Sequence, residues 1–300
     1  RHDLGAGRVR FCQSLMFSSP DDWLALTQVA ERAGIDQVSL SDHVFYPDKL
    51  DSAYPYTPSG RPVFAPDTQW PDVWVTTGAL AAVTERIRFS THVYVLPVRN
   101  PFVVAKAVGT AAWLSDDRVL LGVGAGWMRE EFTQLEQPFE RRGARMEEQI
   151  AVLRALWRGG MVEHHGEFYD FDRLEMSPAP PGPVPILIGG HTEAALRRAA
   201  RIGDGWMGVY YGLDELKAMA ARIAGYRAEY GTTDRPFDVQ AAIVDRLPTP
   251  DVCAELEEAG VTTLITSAWM MEGLQFASRD DNVRTLERFG ERYIAPLRGS

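Results

Sequence analysis

The chain has 300 residues, 31 Lys and Arg against 41 Asp and Glu, a net charge of −10, and 45% hydrophobic residues. An acidic globular chain without a basic block has no electrostatic footprint for a nucleic acid, and no apolar run approaches the roughly 20 residues of a membrane helix. Cys12 and Cys253, far apart and outside any CxxC spacing, give neither a disulfide framework nor a zinc knuckle and read as small buried hydrophobes.

In chain order, the charged segment from Arg1 to Arg10 lacks the apolar stretch of a secretory leader, so the expected location is the cytoplasm. Short apolar runs then alternate with amphipathic stretches. Strands are expected at 9–15, 37–40, 87–95, 119–123, 185–188, 205–209, 238–243 and 262–266. Each is followed by a helical pattern, at 21–33, 71–84, 101–114, 140–157, 192–201, 213–230, 249–259 and 279–292. Ser19-Pro20-Asp21-Asp22 offers a helix start, and Gly34 and Gly260 offer helix ends. Eight βα units imply a single-domain (β/α)8 TIM barrel over residues 1–300 rather than an open sheet.

Two segments exceed the simple repeat: 45–70, rich in Pro, Tyr and Gly after the second strand, and 159–183 before the fifth. A long loop inside a compact domain is usually functional. The second insertion is expected to hold a small hairpin around His164-His165-Gly166-Glu167, a solvated element rather than a metal site, because adjacent histidines on a strand point to opposite faces.

Barrel active sites collect at the C-terminal ends of the strands. Those ends read Ser41-Asp42-His43, Thr91-His92-Val93, Gly124-Ala125-Gly126-Trp127 and Gly189-Gly190. Asp42 and His43 suit proton management or hydrogen bonding to a cofactor ring; the alternative is an Asp cap and a His bonded to a carbonyl. Glycines at 124, 126, 189 and 190 permit close backbone approach, and Gly190 leads through Thr192 into a helix whose free N–H groups suit a phosphate; an ordinary tight βα turn reads the same way. Glu130 and Glu131 either present a carboxylate to the barrel mouth or complement a helix dipole. Neither a Rossmann fingerprint, a Walker motif nor a serine-nucleophile elbow occurs. Trp70, Trp74 and Trp127 suit an apolar pocket wall, whereas Met270 and Met271 read as core filler.

Taken together, Ser41-Asp42-His43, Arg86 to Thr91, Leu96-Pro97-Val98-Arg99-Asn100-Pro101, Leu121 to Trp127, Glu130-Glu131-Phe132, Pro185 to Gly190 and Asp204-Gly205-Trp206 resemble the luciferase-like flavin or deazaflavin oxidoreductases. The segment from Tyr54 to Arg61 is similar to the actinobacterial branch dependent on coenzyme F420. The resemblance implies a homodimeric (β/α)8 barrel that binds F420, with FMN as the alternative, at the C-terminal face and acts on a small-molecule substrate. It implies a non-prolyl cis peptide at His92-Val93, cofactor contacts from Asp42, Thr91, His92, Val93, Ala125, Gly126, Trp127, Gly189 and Gly190, and catalysis by His43 with Asp42; Glu130 is the further candidate for the proton. The implied activity is hydride transfer between deazaflavin C5 and an organic substrate. The rivals are an FMN-dependent monooxygenase and a non-catalytic cofactor-binding protein. Two departures stand out. Trp127 occupies the place where F420 sugar-phosphate dehydrogenases carry a Glu, and His92 replaces the branch's usual Gly.

Overall fold

A computed structural model describes residues 8–299; the N-terminal reading at 1–7 falls outside them. Eight parallel strands close on themselves in the order β1 (Arg10–Ser14), β2 (Gln37–Leu40), β3 (Arg88–Thr91) with its continuation β4 (Tyr94–Val95), β5 (Val119–Gly124), and, beyond an antiparallel hairpin of β6 (Val162–His165) and β7 (Asp170–Leu174), β8 (Ile186–Gly189), β9 (Gly205–Tyr211), β10 (Asp238–Ile243) and β11 (Thr263–Thr266). β11 pairs back to β1 and β3 pairs with β5, which completes the (β/α)8 barrel. Strands β2, β5 and β11 are buried at every position, as parallel strands covered on both sides must be.

Between strands run α1 (Trp23–Arg32), α2 (Val73–Ala82), α3 (Pro101–Leu114), α4 (Arg129–Gln134), α5 (Arg142–Trp157), α6 (Glu193–Ile202), α7 (Leu213–Tyr230), α8 (Pro250–Glu258), α9 (Ala268–Met271), α10 (Arg279–Phe289) and α11 (Ala295–Arg298). Their starts are chemically specified. Asp72 accepts from the amides of Trp74 and Val75, Asn100 precedes Pro101 and accepts from Phe102, and Ser278 accepts from Asp281, each satisfying N–H groups the first turn leaves open. Gly34 and Gly260 follow α1 and α8 with φ of 87° and 83°.

Four expectations need correction. Ser19 makes no side-chain cap, and the segment enters through a short 3₁₀ turn at Pro20–Asp22. The third strand, expected over 87–95, is divided into β3 and β4 at His92-Val93, where the cis peptide bond that the resemblance implied is present. The helix expected from 140 begins two residues later, and the separate α4 precedes it. The last helix, expected to 292, ends at Phe289 and continues through a π turn, Gly290–Ile294.

Inside the barrel a polar layer sits beneath the mouth: Gln37 Nε2 donates to Gln240 Oε1 at 3.0 Å and to Ser90 Oγ at 2.8 Å. Cys12, Leu120, Leu187, Met207 and Ile265 pack as a small apolar cluster. Burial pushes the Cys12 thiol up to about 12, so it stays a neutral core group. The insertion at 45–70 folds across the C-terminal mouth without helix or strand. No helix among the described residues is long and apolar enough to cross a membrane.

Candidate active site

Every barrel strand, or the residues directly after it, contributes to a cavity of about 840 Å³ at the C-terminal mouth, roofed by the loop after β2. Asp42, His43, His92, Val93, Ala125, Gly126, Trp127, Gly189 and Gly190 all line it. Thr91 and Glu130 do not.

His43 occupies an aromatic enclosure. Its ring centroid lies 5.1 Å from Phe64, 5.3 Å from Trp70 and 5.9 Å from Trp127. Nδ1 meets Glu131 Oε1 at 3.2 Å, and the same oxygen accepts the Val44 amide at 2.8 Å. Glu131 is 1% exposed. A carboxylate on one ring nitrogen fixes the orientation of the imidazole and directs the other nitrogen elsewhere; Nε2 has no protein partner among the described residues, and the ring lines the cavity.

Glu131, not Glu130, therefore forms the titratable pair with His43. Glu130 accepts from the hydroxyl and amide of Ser52, at 2.7 and 3.0 Å, and from the Asp51 amide at 2.7 Å, which holds its carboxyl below the usual range. It pins the long loop to α4. The two glutamates are adjacent in sequence, but successive helical positions lie about 100° apart, so Glu131 reaches His43 and Glu130 reaches the loop.

Asp42 is an anchor. Its two oxygens accept from Arg99 Nη1 and Nη2 at 2.8 and 2.7 Å, and Oδ2 also accepts the Val95 amide at 3.0 Å. Burial raises this carboxyl, while the Arg99 charge and the Val95 N–H pull against that rise. Arg99 lies 4.1 Å above the Tyr94 ring. The acid thus ties the end of β2 to β4 and presents little free acceptor capacity to the cavity. His92 differs. Its side chain makes no hydrogen bond among the described residues, it lines the cavity, and burial holds its pKa down at about 4, so the imidazole is neutral near pH 7.

Two of the glycines serve Val93. A Cβ on Gly124 would stand 2.6 Å from Val93 Cγ2, and one on Gly189 would stand 2.6 Å from Val93 Cγ1. Val93 fills the space their missing side chains leave, and its own position at the mouth depends on them. Gly126 has φ of 82°, and its missing Cβ makes room for Val95 and Phe132. Gly190, at φ 122°, opens the turn into α6, where Thr192 caps the helix by accepting from Ala195 at 3.3 Å. The free N–H groups of that first turn lie at the cavity wall, an arrangement suited to an anion.

Thr91 spends its hydroxyl on the Gly122 carbonyl at 2.7 Å, is 1% exposed and does not line the cavity. Trp74 packs in the core against Tyr94 at 5.5 Å, whereas Met270 and Met271, read from sequence as core, line the mouth. Sequence reasoning also missed Arg142 and Arg198, which bond through Nε to the Gly126 carbonyl and to Glu147, each at 2.9 Å. Tyr54 and Tyr56 extend the aromatic wall, reaching Trp127 at 5.1 Å and His191 at 5.4 Å. In the hairpin, His164 meets Glu148 at 3.2 Å and His165 meets Asp170 at 2.5 Å, which accounts for both rings; among the described residues no His, Cys, Asp or Glu group is arranged to hold a metal ion.

The fold and cavity define a (β/α)8 barrel with an aromatic-walled ligand site at its C-terminal face. The profile of the family described as luciferase-like monooxygenase matches residues 5–245, and the chain belongs to that family. An uncharacterized protein of Mycobacterium tuberculosis is 41% identical over 291 residues, covering 96% of this chain and all of its own length. An F420-dependent glucose-6-phosphate dehydrogenase of Beutenbergia cavernae is 36% identical over 193 residues, which span 63% of this chain and 52% of that enzyme. Among solved structures, the monooxygenase RslO1 of Streptomyces bottropensis superposes with a TM-score of 0.74 at 20% identity, covering 96% of this chain and all of that one. The coenzyme F420 dependent tetrahydromethanopterin reductase of Methanopyrus kandleri gives 0.71 at 16% identity, covering 96% and 99%.

Proposed function

We propose that the protein is an F420-dependent oxidoreductase that moves a hydride between deazaflavin C5 and a small organic substrate. The observation that carries this reading is His43, seated on buried Glu131 and enclosed by Phe64, Trp70 and Trp127 at the wall of the cavity. The similarity to an F420-dependent dehydrogenase supports the choice of cofactor.

The residues present fit such a group. The cavity is long enough to run from the β3–β4 junction to the α6 N-terminus. Val93 offers an apolar surface for one face of a ring, and His92 offers an unpartnered neutral imidazole. Ala125 and Gly126 offer backbone beside a flexible chain, and the Gly190 to Thr192 turn offers N–H donors to a phosphate. When bound, the deazaflavin supplies the hydride chemistry. The protein's part falls to its own side chains. Glu131 holds the His43 ring, His43 Nε2 gives or takes the proton that accompanies the hydride, and the aromatic enclosure excludes water from that exchange. Asp42, through Arg99 and the Val95 amide, acts as a positioning residue for the strand end that carries Val93.

Fluorescence titrations of the purified apo-protein with F420 and with FMN, side by side, test the reading. Tight F420 binding with negligible FMN binding is the expected result. A preference for FMN overturns it in favour of oxygen-dependent chemistry.

A further inference from the structure

We propose a second ligand site, for a multiply charged organic oxyanion such as a phosphate ester or a polycarboxylate, at the opposite, N-terminal end of the barrel. A cavity of about 960 Å³ opens there, walled by Pro180, Pro181, Pro183, Trp157 and Phe237. It is distant in the fold from the mouth, since its strand residues are the first of β1, β3 and β10: Arg10, Arg88 and Asp238.

The charge balance of this cavity is opposite to that of the chain. Six arginines line it against Asp204, Asp238 and Glu257, in a protein of net charge −10. The three carboxylates are already engaged. Asp238 is held by Arg10 and by Thr262 Oγ1 at 2.6 Å. Asp204 accepts from Arg154 Nη2 at 2.7 Å and from the Ile186 amide at 2.9 Å, with Arg235 Nη2 within 3.8 Å. Glu257 accepts the Val9 amide at 2.5 Å.

Arg88 and Arg158 are left over. Neither guanidinium makes a hydrogen bond or ion pair among the described residues, and Arg88 Nε is buried without any partner. Burial pushes the Arg88 pKa down, the Asp238 charge pulls the other way, and the Arg10 charge adds to the fall. A cation taken out of water and left unpaired is costly, and the cavity in front of it is wide enough for the missing counter-charge. A guanidinium presents a fork of donors that matches carboxylate and phosphate oxygens two at a time. Arg88 rises from the start of β3 and Arg158 from the end of α5, so one oxyanion reaching both would tie the barrel floor to its helical ring. The prolines restrict backbone motion around the opening.

Inorganic phosphate and citrate serve as probes, followed by thermal denaturation and calorimetric titration against chloride at matched ionic strength. Saturable binding that raises Tm above the chloride control is expected, and the stronger of the two probes tells phosphate ester from polycarboxylate. Arg88→Gln and Arg158→Gln should each weaken the affinity roughly tenfold, as loss of one bidentate contact predicts. Arg158 is exposed, so its variant keeps the test valid where Arg88→Gln fails to fold. Unchanged affinity in Arg158→Gln, which would locate the ion elsewhere, including the turn before α6, overturns the proposal; so does a shift no larger than that of chloride.

Discussion

Two histidines at the mouth are held in different ways, and the difference assigns them different work. His43 has a carboxylate on one nitrogen and aromatic rings around it; His92 has neither, and its burial keeps it neutral. If Glu131 orients His43 for proton transfer, Glu131→Gln should lower kcat roughly 10- to 100-fold and displace the pH profile of kcat, because general acid–base contributions of this kind run to about 100-fold or more. The amide oxygen of Gln still accepts the Val44 N–H, so folding should be kept. Glu130→Gln should stay within about twofold of the parent, as a change at a loop tether does. Equal losses in both variants would mean that the carboxylates act only on the loop. His92 carries a separate prediction. Its folded pKa, about 4, lies below its unfolded value near 6.5, so the unfolded chain binds the extra proton first. Stability contributed by the neutral ring is complete above pH 6.5 and is lost as pH falls from there towards 4, on the order of 3 kcal/mol in total. In urea unfolding at a series of pH values, His92→Asn should flatten that part of the slope; an unchanged slope would mean that other groups carry it.

At the level of elements, the sequence states its alternation openly and hides its interruptions. Eight strand–helix repeats, the buried strand character and the helix-ending Gly34 and Gly260 are local signals, legible because each depends on a few neighbours in the chain. The division of the third strand into β3 and β4 is not local. It depends on Val93 finding room against Gly124 and Gly189, which lie on two other strands. The same distinction separates the site residues. Asp42, His43, His92 and Trp127 were visible because strand ends point at the mouth. Arg142 and Arg198 were not, and Glu131 could not be told from Glu130, because their aim is set by the phase of α4, α5 and α6 against the barrel, which a 3.6-residue period leaves undetermined by one position. Thr91 sits at a strand end yet turns its hydroxyl sideways to Gly122, so position along a strand identifies an end but not the face. The glycines also changed meaning: read as space for a ligand, Gly124 and Gly189 are space for Val93, a side chain that lines the cavity.

For the whole molecule, two neighbouring outer helices are out of keeping with the rest. The ring of a (β/α)8 barrel normally shows water a polar stripe, as amphipathic helices do. Helix α6 follows that rule, with Arg197 and Arg201 along its outer side. Helix α2 contains no charged residue at all, and α3 only Lys106. Val75 is 76% exposed and Val103 68%, with Trp113 and Leu114 more than half exposed as well. Apolar side chains scattered singly need no explanation, but a helix pair that is apolar around its circumference marks a surface covered by something else. A second copy of the same chain is the economical cover, since twofold pairing sets a patch against itself. We therefore expect a homodimer through α2 and α3. Sedimentation equilibrium should give twice the monomer mass of 33.4 kDa, and Val75→Glu combined with Trp113→Glu should shift the species towards monomer, because charges placed opposite their own copies repel and cannot be desolvated without cost. The barrel core does not involve either side chain, so the variant should remain folded by circular dichroism. A parent protein that sediments as a monomer, or a double variant that remains dimeric, would place the interface elsewhere.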